Sequence, residues 1–306
     1  MVNRRCVLAI AVGLASVALA APAEAQENQD KVKVKVLASF SILADFAKNV
    51  GGDRVEVTAL VGPNSDAHVY APAPADAKKA ADARIVVTNG LGFEGWMSRL
   101  VKASGTRAAL VVATKGIQPR KQAGGQGHSH DNADPHAWQS VANAKVYVGN
   151  IRDALIAADP AGKSAYQANA AAYLAKLDAL DQEVSAAVAA IPADRRRIIT
   201  SHDAFGYFTQ AYGIDFIAPQ GVSTESEPSA RDLARIITQI KRQKIPAVFL
   251  ENISDPRLIR RIADETGARV GGTLHSDALT DEKGAAPTYI DMMRHNIKTL
   301  SAALSS

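Results

Sequence analysis

His68, His136, His202 and Asp277 are the residues of this 306-residue chain whose types could do chemistry together. Three imidazoles and one carboxylate form a complete tetrahedral ligand set for a divalent transition metal, with no cysteine required. One carboxylate would leave a bound divalent ion near a charge of about +1, which a shielded cleft tolerates more easily than +2. Taken singly, each residue has a plainer reading. A lone loop histidine is more often a surface or helix-capping residue than a ligand, and Asp277 could be a helix cap. The case for one site is that all four fall in loops at equivalent topological positions, two in each half of the chain.

Those positions come from an alternation of strand and helix patterns. Residues 32–40, 55–61, 85–88 and 109–113 read as strands, the first opening with strict Val/Lys alternation. Helices are expected at 42–50, 75–83 and 93–103 between them, with a further helix starting near Ser140. The second half repeats the plan, with strands at 197–200, 215–218, 247–251 and 269–273 and helices at 204–212, 229–243, 257–266 and 289–304. Strands alternating with helices of this length argue for parallel sheet built from βαβ units. Open parallel sheets bind ligands beyond the carboxyl ends of their strands, where all four residues can sit.

Residues 161–191 form the longest helix pattern. Tyr166, Tyr173, Leu177, Leu180, Val184, Val188 and Ile191 mostly recur at three- and four-residue steps, between Asp159-Pro160 and Pro192. The expected fold is therefore α/β: two lobes, each with a central, mostly parallel sheet flanked by helices, bridged by one long rigid helix. The expected boundaries are a signal peptide at 1–25, an N-terminal lobe at 26–158, the linking helix at 159–192 and a C-terminal lobe at 193–306. A flexible loop at 120–133 carries His128 and His130 among several glycines.

The first 25 residues read as an export signal. Arg4 and Arg5 precede an uncharged apolar run, and Ala23-Glu24-Ala25 offers a cleavage site near Ala25. The one cysteine, Cys6, lies before that run rather than at the cleavage point, so it does not read as a lipid-attachment residue. The mature chain then has no thiol or disulfide, which suits the periplasm and leaves N and O ligands for any metal. A net charge of +4 with scattered Lys and Arg gives no nucleic-acid patch; Arg195-Arg196-Arg197 is the longest run and reads as a solvated edge.

Several segments carry a family resemblance over essentially the whole mature chain. They are Gly62 to Pro72 (GPNSDAHVYAP), Asn89 to Trp96 (NGLGFEGW), Asp134 to Trp138 (DPHAW), Ser201 to Phe208 (SHDAFGYF), Glu227-Pro228-Ser229 and Gly271 to Leu279 (GGTLHSDAL). The chain resembles the solute-binding proteins of zinc/manganese ABC importers, the cluster A-I group. The resemblance implies two lobes bridged by one helix, the metal between them, and the four ligands on His68, His136, His202 and Asp277. It also implies delivery to an inner-membrane ABC permease by a monomer, with a periplasmic metallochaperone as a further partner. One departure stands out: the family usually has Asp-Pro-His at the first ligand, and here the run is Asp66-Ala67-His68. Losing that proline loosens the loop but leaves the imidazole.

Manganese-type relatives usually place Glu at the third position, where this chain has His202. Three nitrogens and one oxygen favour Zn(II) as cargo, with Mn(II) the alternative. In zinc-type relatives a His-rich insertion occurs near 120–133, so His128 and His130 either capture zinc weakly or belong to an inert loop. Asp134, Asp203 and Glu251 could orient the ligating imidazoles, or cap helices and pair with arginine instead. His275 and His295 carry no role here, and Trp138, Phe205, Tyr207 and Phe208 read as packing. A periplasmic zinc-dependent hydrolase is the competing class. It needs an open coordination position and a general base, and the chain has neither an H-E-x-x-H helix nor a G-x-S-x-G elbow. A siderophore or haem carrier would want an apolar or Arg-lined cleft instead.

Overall fold

A computed structural model describes residues 33–121 and 133–305. The first half forms a four-stranded parallel sheet in the order β2-β1-β3-β4, from β1 (Val34–Phe40), β2 (Val55–Val61), β3 (Ile85–Thr88) and β4 (Ala109–Val112). The second half repeats this as β6-β5-β7-β8, from β5 (Arg197–Ile199), β6 (Asp215–Ile217), β7 (Ala247–Glu251) and β8 (Arg269–Leu274). Central strands are apolar on both faces, as parallel sheets covered by helices require. Thus β1 and β3 are almost wholly buried, while edge strand β4 is largely exposed.

In each sheet the order reverses beside the first strand, between β1 and β3 and between β5 and β7. Such reversals open a crevice at the strands' carboxyl ends. A buried glutamate occupies each one. Glu94, beyond β3, accepts hydrogen bonds from Ser39 Oγ and the amides of Asn89 and Gly90. Glu251, the last residue of β7, accepts from the amides of Ser201 and His202.

The helices are α1 (Ser41–Gly51), α2 (Pro74–Asp82), α3 (Met97–Ser104), α4 (Val141–Ala158), α5 (Lys163–Ala189), α6 (Gly206–Tyr212), α7 (Ala230–Gln243), α8 (Arg257–Thr266) and α9 (Tyr289–Leu304). Their ends follow local chemistry. Gly105, Gly213 and Gly267 take left-handed conformations that stop α3, α6 and α8. Ser229 and Thr288 start α7 and α9 by accepting the amides of Asp232 and Asp291. The expected helix at 93–103 begins only at Met97; the residues before it form turns, in which the Phe93 amide donates to Gly90 O and the Met97 amide to Glu94 O.

Helix α5, 27 residues and about 40 Å long, is the long helix expected near 161–191, and a 3-10 turn at Pro160–Gly162 leads into it. Tyr166, Ala170, Tyr173, Leu177, Leu180, Val184 and Val188 bury one stripe against α1, α4 and α9. Through α5 and α9 one continuous apolar core runs from Val34 to Leu304. A smaller cluster seals α7 and α8 onto the second sheet.

Asp45 of α1 ties this junction together. It accepts hydrogen bonds from the Tyr289 amide at the head of α9 (3.0 Å) and the Tyr173 hydroxyl of α5 (3.3 Å). Burial pushes its carboxyl up to about 6 from 3.8, against the pull of those donors, Lys48 and Asn49. The native state therefore holds this proton more tightly than the unfolded chain. The resulting stability is complete below about pH 4 and is lost as pH rises through about 6, a change of about 3 kcal/mol. Asp45→Asn is expected to remove this slope. Urea unfolding of ion-free protein at pH 4 and pH 7 should show the stability difference between wild type and variant changing by about that amount in the variant's favour at pH 7. An equal difference at both pH values would contradict it.

Candidate metal centre

Each sheet sends two loops toward one point. His68 follows β2, where Asp66 Oδ1 accepts the His68 amide (2.8 Å) and Trp96 Nε1 donates to Ala67 O (2.8 Å). Those two bonds hold the loop that lacks the family's proline. His136 follows β4 after a long connection. Its ring Nδ1 lies 2.8 Å from Asp134 Oδ1, which also accepts the His136 amide (3.0 Å). His202 leaves β5, and its ring Nδ1 lies 2.5 Å from Glu251 Oε2. Asp277 follows β8 in a loop gripped by both halves. Trp138 Nε1 and Gln139 Nε2 donate to Ser276 O, and the Leu279 amide donates to Ser41 Oγ.

The structure brings all four of these side chains together, each buried, with their ligand atoms within 4.8 Å of one another. His68 Nε2 lies 3.3 Å from His136 Nε2 and 3.2 Å from Asp277 Oδ2. Asp277 Oδ2 is 3.1 Å from His202 Nε2 and 3.6 Å from His136 Nε2. A tetrahedral ion with ligands at about 2.0–2.1 Å has ligand-to-ligand edges of about 3.3–3.4 Å. These four separations and the donor set suit a tetrahedral transition metal. Asp277 Oδ1 is buried with no hydrogen-bond partner, an orphan atom that a cation would satisfy.

The walls are apolar. Phe93 packs on the His68 ring at 4.6 Å, and Trp138 on the His136 ring at 5.2 Å. Excluding water strengthens every charge interaction inside. Burial opposes ionisation of Asp277, but His202 and His136 overcome it and hold the carboxyl well below the usual carboxylate range. Burial likewise opposes a charge on His136, yet Asp277 and Asp134 push it up to about 9. His202 is raised well above its ordinary value against burial, by Glu251 and Asp277. His68 moves the other way, because burial outweighs its contact with Asp277.

Of the three carboxylates suspected of orienting imidazoles, Asp134 and Glu251 face a ligating ring. Asp203 does not; its carboxyl is raised by burial and by Asp134, and its amide donates to Gly221 O. His275 turns away from the four and packs on His295 of α9, with ring centroids 4.8 Å apart. His128 and His130 lie outside the described residues. Two neighbours escaped sequence reasoning. Phe93 belongs to a recognisable segment but carries no polar signal. Arg120, which donates to Asp134 Oδ2 at 2.9 Å, lies in no motif at all.

The chain matches the Zinc-uptake complex component A periplasmic (ZnuA) family over residues 36–303. It is 35% identical over 271 residues to the manganese-binding lipoprotein MntA of Halalkalibacterium halodurans, covering 88% of both chains. It is 35% identical over 266 residues to the iron-binding protein YfeA of Yersinia pestis, covering 87% of this chain and 85% of that one. Among solved structures, the periplasmic zinc-binding protein TroA of Treponema pallidum superposes with a TM-score of 0.83 at 31% identity, over 89% of this chain and 99% of that one. All three relatives are described as metal-binding proteins. The chain belongs to the ZnuA family, the cluster A-I substrate-binding proteins of metal ABC importers.

Proposed function

We propose that this protein captures Zn(II) on His68, His136, His202 and Asp277, carries it through the periplasm and surrenders it to an inner-membrane ABC permease. The observation that carries the zinc reading is His202 at the third position, where a carboxylate would have favoured a harder ion. Three nitrogens and one oxygen suit tetrahedral, borderline-soft zinc. Residues 1–25 act as a cleaved leader in this reading, and the segments on either side of 159–192 act as lobes. Because α5 and α9 share a core with both sheets, release proceeds by rearrangement of the loops around His136 or Asp277 rather than by wide opening.

Manganese is the second reading. The name of the Halalkalibacterium relative favours it, and so does Asp277 Oδ1, a free oxygen able to become a further ligand. The test is a chelator competition on residues 26–306 without a His-tag, stripped of metal, with Zn(II) and Mn(II). Tight one-to-one zinc binding, weak manganese binding and at least about tenfold weaker zinc binding by His202→Glu are expected. Comparable or tighter manganese binding would make manganese the cargo, and binding of neither ion would remove the site.

Proton release gives an independent check. His136 is pushed up to about 9 and His202 is raised well above its ordinary value, so a metal ion that binds here has to displace protons. Binding at pH 7.5 should release about two protons, and affinity should fall steadily as pH drops. Calorimetry in two buffers of different ionisation enthalpy measures the count. Release of none would show that the imidazoles are already neutral.

A further inference from the structure

We propose that Arg120 is a positioning residue for the metal centre: through Asp134 it fixes the ring of His136, and the missing side chain at Gly206 gives it room to do so. This rests on the reading that the centre binds an ion. Asp134 divides its two oxygens between two tasks. Oδ1 accepts from the His136 ring and amide, while Oδ2 accepts from Arg120 Nη1 at 2.9 Å. Without Arg120 the wholly buried carboxylate would lose its counter-charge and the contact that sets its rotation.

The arginine is itself framed from both halves. Its carbonyl accepts the Asp134 amide (2.8 Å), and its amide donates to the Tyr207 hydroxyl (2.9 Å), which in turn donates to Asp134 O (3.1 Å). Gly206, the residue before Tyr207, opens α6. A Cβ there would lie 1.9 Å from Arg120 Nη1 and 2.6 Å from Asp134 Oδ2. Its backbone is not left-handed, so the demand for glycine comes from space alone. His202 is built differently. Glu251, behind it, is held by two backbone amides. Asp134 instead takes its orientation from a side chain outside the ligand motifs, clamped against the opposite half.

The test compares residues 26–306 with Arg120→Met, Gly206→Ala, the double variant and Arg120→Lys, each checked for a cooperative thermal transition. Zn(II) affinity is read by chelator competition and ligand geometry by the visible absorption of the Co(II) form. Each of the first two substitutions is expected to weaken zinc about ten- to hundredfold and to shift the Co(II) bands. The double variant should be no weaker than Arg120→Met alone, because both act through one contact, and Arg120→Lys should recover part of the loss. Wild-type affinity and an unshifted Co(II) spectrum in Arg120→Met would overturn the proposal while leaving the metal reading intact. Additive losses in the double variant would overturn the role of Gly206. Failure of the unsubstituted protein to bind either ion would remove the underlying reading and the proposal with it.

Discussion

Asp134, Glu251 and Asp277 are carboxylates placed where almost no water reaches, and the positive charge that balances them constrains everything around them. An isolated buried carboxylate is prohibitively costly, so each must meet a cation or a set of donors. Arg120 answers Asp134, and two backbone amides answer one oxygen of Glu251. The remaining demand falls on His136 and His202, whose rings face these carboxylates and are pushed toward the charged form by them. A divalent ion held by the four ligand atoms would meet the same demand. The centre is not closed on itself: Asp277 Oδ1 is buried with no hydrogen-bond partner, and a cation is what would satisfy it.

Holding that arrangement takes a scaffold that does not give. The two sheets meet through α5 and α9, and the apolar core is continuous across them. Asp45 joins α1, α5 and α9 at one buried carboxyl. The loops that carry the four residues also reach across the halves. Thr224 donates to Asp66, Asn252 to Asn64, and the Asn64 amide to Leu279 O. The ligand loops are thus fastened to both halves as well as to their own strands.

Much of this was legible in the sequence, for physical reasons. Strands at 55–61, 85–88 and 247–251 and helices at 257–266 and 289–304 fall where periodicity puts them, because their apolar patterns are strong and their ends are marked by turn residues or caps. The four convergent side chains could be picked out because ligand chemistry restricts residue type and because parallel sheets gather loops at one end. Arg120 could not. Its role depends on the absence of a side chain 86 positions away at Gly206, and no local pattern records such a meeting. The late start of α3 was likewise hidden, since the chain runs through turns before it, with the Phe93 amide donating to Gly90 O and the Met97 amide to Glu94 O. Asp203 shows the converse: its position beside His202 suggested a partner for the ring, but Glu251 from the neighbouring strand holds that place.

The most direct test of a buried three-nitrogen, one-oxygen centre is X-ray absorption at the zinc edge on protein loaded with one equivalent of Zn(II), alongside anomalous diffraction from crystals of the same sample. The account expects a single ion bounded by His68, His136, His202 and Asp277, with four light ligands at about 2.0–2.1 Å and an imidazole scattering pattern from three rings. An ion at another place, or one bound there by fewer than three imidazoles with water completing its shell, would contradict it.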